Sequence, residues 1–195
     1  MVKKILIFTI LISTITTQNV YSQMGTEEKN SETIYLAGGC FWGTEHFLKL
    51  LTGVDHTSVG YANSATENPT YEDVCSGGTG AAEAVMVSFD NSAVSLEKII
   101  SLFFQTIDPT MLNQQGNDKG TQYRTGIYTS NSTQLAEVQS IVDKLSTGYD
   151  MPLVIEIMPL KNFHDGELYH QDYLDKNPGG YCHIGPELFE LAKKN

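Results

Sequence analysis

The 195-residue chain carries 23 acidic side chains against 12 lysines and arginines, a net charge of −11 with histidine neutral. Such a surface repels polyanions, which excludes nucleic acid and anionic membrane as main partners. Its three cysteines, Cys40, Cys75 and Cys182, include no C-x-x-C pair, so a zinc knuckle or a thioredoxin motif is disfavoured and no metal is expected.

Lys3 and Lys4 precede an apolar run from Ile5 to Ile15, and a polar stretch follows, ending Val20-Tyr21-Ser22. This order describes a secretory signal over residues 1–22, cut after Ser22, and an exported protein, periplasmic or secreted. The run is shorter than the roughly 20 residues a spanning helix needs, which makes an uncleaved membrane anchor the lesser alternative. Residues 23–31 are polar, without periodicity, and read as a flexible lead-in. Residues 32–195 are left as one domain. Cleavage removes two lysines and no acid, so the mature chain is more acidic still, and it is expected to act as a monomer away from the membrane.

Thr33 to Ala37 reads as a strand and Glu45 to Leu51 as a helix, with Cys40 at the junction inside Gly38-Gly39-Cys40-Phe41-Trp42-Gly43. The unpaired N–H groups of a helix start lower a thiol pKa from about 8.5 toward neutrality. From these residues alone two readings stand: a reactive thiolate beside an aromatic wall, or a small buried hydrophobe in the core. Gly53 fits a helix end and Val54 to Tyr61 a second strand. Asn63 to Gly80 is a long loop of the kind that often carries function.

Glu83 to Phe89 alternates as a strand with Val85, Val87 and Phe89 on one face. Ser95 caps a helix in which Leu96, Ile99, Ile100, Phe103 and Ile107 recur at helical spacing, and Asp108-Pro109 stops it. A second long loop runs from Thr110 to Gln122. Arg124 to Thr129 is a strand, Ser132 to Leu145 an amphipathic helix, Leu153 to Met158 a strand and Gly166 to Lys176 a short helix. Asn177-Pro178-Gly179-Gly180 then releases a loose tail carrying Cys182. The order β-α-β-β-α-β followed by α-β predicts an α+β fold, a ferredoxin-like two-layer sandwich whose long loops and tail supply the chemistry.

Six blocks in one order now resemble peptide methionine sulfoxide reductase of the A type. They are Gly38 to Gly43, Val59-Gly60-Tyr61 with Pro69 to Cys75, Ala82 to Val85, Gln115 to Arg124, Tyr169 to Leu174, and Gly180-Tyr181-Cys182. The resemblance covers nearly everything from Ile34 to Pro186. It implies reduction of the S epimer of methionine sulfoxide, free or in oxidised proteins, with Cys40 as nucleophile. Phe41 and Trp42 would hold the substrate methyl group. Glu83 would be the acid, Tyr61 and Tyr123 phenol donors, and Asp118 an organiser of the hydrogen-bond network. Cys182 would resolve a sulfenic acid on Cys40 as a disulfide, reduced in turn by a thioredoxin-like dithiol, with no cofactor bound. Cys75 matches a position without a chemical role, and His170 and Asp172 are expected to brace loops.

Three places depart from the family pattern: Ser64, Ala81, and Phe163-His164-Asp165-Gly166. None removes a group the reaction needs. Two rival classes remain at this stage, a cysteine hydrolase and a disulfide-stapled binding module.

Overall fold

The computed structural model describes residues 30–195; the expected signal and all but the end of the lead-in lie outside the described residues. Strand β1 (Ser31–Ala37) alternates, sending Ile34 and Leu36 into one core and Ala37 to the opposite face of the sheet. Helix α1 (Phe41–Lys49) starts directly after Cys40, four residues earlier than its apolar spacing predicts. Strand β2 (Val54–Ala62), the short helix α2 (Tyr71–Cys75), strand β3 (Ala82–Asp90) and helix α3 (Leu96–Phe103) follow. Helix α2 stands inside a stretch expected to be loop, because Thr70 and Asp73 form a reciprocal capping box around its first turn.

The second expected loop is also structured. It holds the hairpin β4 (Gln114–Gln115) and β5 (Asp118–Lys119) and one 3₁₀ turn, Thr121–Tyr123. Then come β6 (Gly126–Thr129), α4 (Ser132–Ser146) and β7 (Glu156–Pro159), the last three residues later than expected. Strand β8 (Phe163–Asp165) has too few residues to show any periodicity and was not anticipated. The helix expected over Gly166 to Lys176 contracts to α5 (Tyr173–Lys176), and the tail is not loose: it ends in α6 (Pro186–Ala192), packed against α1.

Six strands form one mixed sheet in the order β7-β6-β1-β3-β2-β8. Every neighbouring pair is antiparallel except β6 with β7. Helices α1, α3 and α4 bury Phe47, Leu48, Ile99, Ile100, Phe103, Val138 and Ile141 against the face carrying Ile34, Val85 and Val87. The opposite face is lined by the small residues Ala37, Ala62, Ala82 and Ala84 and is closed by Tyr35, Leu160 and Phe163. Among the described residues no helix is long and apolar enough to cross a membrane.

Phe103 links this core to the turn before Cys40, since a side chain on Gly38 would meet its ring at 2.7 Å. Phe103→Ala should therefore lower unfolding free energy by about 3–5 kcal/mol. Denaturant melts would read this as a lower midpoint at unchanged slope. A loss under 1 kcal/mol would mean that the turn does not lean on α3.

Candidate functional site

The turn that presents Cys40 is built from glycine on one side and a helix start on the other. Gly39 adopts φ +82°, and a side chain there would meet Gln115 at 2.7 Å, so strand β1 can reverse into α1 only through a residue without a Cβ. Cys40 is the N-cap of α1 and is 7 % exposed. Its thiol accepts from the Trp42 N–H, as a helix start provides, yet its pKa is raised rather than lowered. Burial is the largest cause, followed by the charge of Glu83; Asp118 and Cys182 push the same way. The expected depression of the thiol thus gives way to desolvation and neighbouring acid, which outweigh the helix terminus.

Glu83 reaches the same turn from the helix-side face of β3, where it pairs with Tyr61 across to β2. It is 1 % exposed, its Oε2 accepts the Phe41 N–H at 3.2 Å, and its Oε1 has no hydrogen-bond partner among the described residues. Burial pushes its carboxyl up to about 8 despite the Phe41 hydrogen bond, with the charge of Asp118 adding to the rise. At neutral pH this is a protonated acid.

Asp118, on the β4–β5 hairpin, feels Cys40, Glu83 and Cys182. It takes a hydrogen bond from Tyr181, and its Oδ2 lies 3.8 Å from His183 Nδ1. Tyr123 lies within the influence of Glu83 and Cys40, its phenol raised first by burial. Tyr61 also lies beside Glu83, but its hydroxyl donates to Glu167 Oε2 at 2.6 Å, so its proton is already committed. All six residues expected to carry chemistry converge on the start of α1; Tyr61 alone arrives with its hydrogen engaged.

Phe41 is buried and packs 5.0 Å from the His170 ring. Trp42 stacks on Tyr173 at 3.7 Å and 13°, and its indole Nε1–H donates to His170 Nδ1 at 3.0 Å. Tyr173 and Glu167 are site-building residues that sequence reasoning missed, and the family block Tyr169 to Leu174 was the signal available for the first of them. His170, expected as a brace, braces the indole itself.

Cys182 sits against α1. A side chain on Gly43 would meet its sulfur at 2.7 Å, and the Ile184 N–H donates to that sulfur at 3.4 Å. The tail is thus fastened, and the glycine one turn beyond Cys40 makes the room. Cys75 is exposed and hydrogen-bonded to the Tyr71 hydroxyl. All three cysteines are free thiols, and no cluster of metal-binding side chains occurs among the described residues.

Comparison with known proteins matches residues 32–194 to the family described as peptide methionine sulfoxide reductase. The chain is 51% identical over 163 residues to the peptide methionine sulfoxide reductase MsrA of Lachnoclostridium phytofermentans, covering 84% of this chain and 98% of that one. Among solved structures it is similar to reduced Mxr1 from Saccharomyces cerevisiae, with TM-score 0.76, 38% identity, and 80% of this chain and 92% of that one covered. Mxr1 in complex with Trx2 aligns at TM-score 0.53 and 27% identity, over 74% of this chain and 85% of that one.

The raised carboxyl of Glu83 has a consequence for stability. From its ordinary 4.5 up to about 8 the folded chain keeps a proton that the unfolded chain has released. Stability from this group is therefore complete below the lower value and is lost as pH rises through the higher one. Glu83→Gln should gain stability over the parent between pH 5 and pH 9, by chemical denaturation. A constant difference across that range would mean that Glu83 is ionised in the folded protein.

Proposed function

The chain belongs to the peptide methionine sulfoxide reductase family, on its MsrA branch, and on that premise we propose how its own residues carry the reaction. It reduces methionine sulfoxide, which displaces the hydrolase and the stapled-module readings. The observation that carries this reading is the buried carboxyl of Glu83, whose Oε2 takes the N–H of the residue next to Cys40 and whose Oε1 has no hydrogen-bond partner among the described residues.

Glu83 gives its proton to the sulfoxide oxygen, which makes the substrate sulfur electrophilic. Cys40 attacks that sulfur, and its own thiol proton passes to the carboxylate left on Glu83. The sulfur–oxygen bond then breaks as the oxygen bonds to Cys40, and the transient Cys40–substrate sulfur bond breaks with it, leaving its electron pair on the substrate sulfur. The sulfoxide is reduced to methionine and the thiol oxidised to a sulfenic acid, with no net change in protons. One carboxyl therefore serves as acid and base. The high thiol pKa is no obstacle, because proton loss and attack are coupled through it. Phe41 and Trp42 hold the methyl group and so select the S epimer, while Tyr123 and Asp118 orient the oxygen. Tyr61 contributes through its bond to Glu167 rather than as a free donor.

Cys182 then condenses with the sulfenic acid, giving a Cys40–Cys182 disulfide and water. A thioredoxin-like dithiol exchanges with that disulfide, restoring both thiols and becoming oxidised itself. The yeast relative solved in complex with Trx2 supports this donor class. No bound cofactor is required, and a single chain supplies every group named, which supports a monomer. The fold beneath reads as ferredoxin-like, supported by the antiparallel order β6-β1-β3-β2 with β7 and β8 added at its edges. Lys3, Lys4 and the apolar run Ile5 to Ile15 support export, periplasmic or secreted.

The three cysteines should separate cleanly. Cys40→Ser loses all turnover, because a hydroxyl is a far weaker nucleophile than a thiol. Cys182→Ser releases about one equivalent of methionine, then stops with a thioredoxin donor, since the disulfide cannot form. Cys75→Ser cycles at the parent rate. Mass mapping that joins Cys40 to Cys75 after one turnover would reassign the resolving thiol.

Glu83→Gln should slow the reduction step by about 10²–10⁴-fold, read in single turnover with the S epimer. In the parent that rate should fall as pH rises through about 8, where Glu83 loses its proton. A pH-independent rate from 6 to 9, as in Glu83→Gln, would move the acid elsewhere.

A further inference from the structure

Glu45 is a buried carboxyl with no part in the chemistry above, since it lies on α1 one turn past Cys40 and is 1 % exposed. Its Oε2 accepts the backbone N–H of Asp172 at 2.9 Å, and its Oε1 accepts from the Thr57 hydroxyl at 3.5 Å. Asp172 stands at φ 53°, the left-handed region, which non-glycine residues enter rarely and Asp more readily than most. The residues around that turn build the aromatic wall: His170 takes the indole N–H of Trp42, and Tyr173 lies stacked on its ring.

The other ties on this segment do not duplicate the Glu45 contact. Gln171 bonds the backbone of Val59 through both ends of its amide, at 2.9 Å each, and so anchors the segment to β2 rather than to α1. Lys49 bridges the Asp172 and Asp175 carboxylates at 2.5 Å each, but all three side chains are between a quarter and half exposed, where such pairs contribute little. Among the described residues Glu45 is the one side chain that accepts the Asp172 N–H, and it does so from a buried position on α1.

We propose that Glu45 is a positioning residue for substrate binding, holding the Asp172 turn so that His170 and Tyr173 fix Trp42 as the wall for the sulfoxide methyl group. This rests on the reading of Trp42 as part of that wall. The role requires a hydrogen-bond acceptor, not a charge, because the partner is a neutral amide. Burial pushes the Glu45 carboxyl up to about 7, so even near neutrality the acceptor is partly a neutral acid.

Trp42 is the only tryptophan of the chain and reports its own surroundings optically. In the full mature enzyme, Glu45→Ala should shift Trp42 emission to longer wavelength as the indole loses His170 and Tyr173. In single turnover with the S epimer, it should raise the half-saturating substrate concentration about tenfold, the size of one net hydrogen bond, with the saturating rate within about twofold of the parent. Glu45→Gln, which keeps an acceptor, should restore both readouts. Should Glu45→Ala not fold, a Tyr173→Leu background tests the same link. Glu45→Asp, too short to reach the Asp172 amide, must then raise half-saturation in the parent and have no further effect in the Tyr173→Leu chain if Glu45 acts through that stack.

Unchanged emission in a folded Glu45→Ala overturns the proposal while leaving the wall intact. A full emission shift with unchanged half-saturation overturns it as well, and takes the Trp42 wall reading with it. A loss of saturating rate equal to the loss of affinity, unrescued by Glu45→Gln, would make Glu45 a residue of general stability only.

Discussion

Everything in this site follows from one hydrogen bond made where a helix begins. The first turn of any helix has N–H groups without partners, and here the N–H of Phe41 is taken by Glu83 Oε2. That contact draws a carboxyl from the middle strand of the sheet up to the residue next to Cys40. It does so in a place dry enough that the carboxyl keeps its proton. Of the N–H groups at this helix start, that of Phe41 goes to Glu83 and that of Trp42 to the thiol, where burial outweighs it. The result is a pair of neutral acids side by side, and the shared environment raises both.

The wall around this pair is assembled from residues far apart in the chain, and its members lean on one another. Glu167 accepts from the Tyr61 hydroxyl and from the Tyr71 N–H, and against the upward push of burial these bonds hold its carboxyl below the ordinary range. His170 lies buried among Phe41, Trp42 and Tyr71, its imidazole kept neutral first by burial. A neutral ring can accept from the indole, and a charged one cannot. The segment from Glu167 to Tyr173 therefore joins β2, α1 and α2 at the site while making almost no regular backbone structure of its own.

That is also where sequence reading stopped. Strands β1, β2 and β3 and helices α3 and α4 were legible because their apolar residues repeat with the period of the element. Glu83 was legible as the acid only through the family block Ala82 to Val85, and the strand places it on the face of Val85, Val87 and Phe89. Helix α1 began early because its start is set by the left-handed Gly39 and a backbone-to-carboxyl bond spanning 42 residues, neither of which leaves a periodic trace. Strand β8 is three residues long, and its pairing with β2 is dictated by the fold rather than by its composition. The thiol was misjudged because only the packed structure reveals how much water it loses.

The sulfur of Cys182 against Gly43 also bears on the lifetime of a dangerous species. A sulfenic acid left waiting can be oxidised further to sulfinic acid, a dead end for most cysteines. Here the thiol proposed to capture it already rests against the first turn of α1, in a tail fastened by the Ile184 N–H and by α6. In the cycle proposed above the quencher is thus carried within the fold, and a single missing methyl group at position 43 makes the space in which it waits.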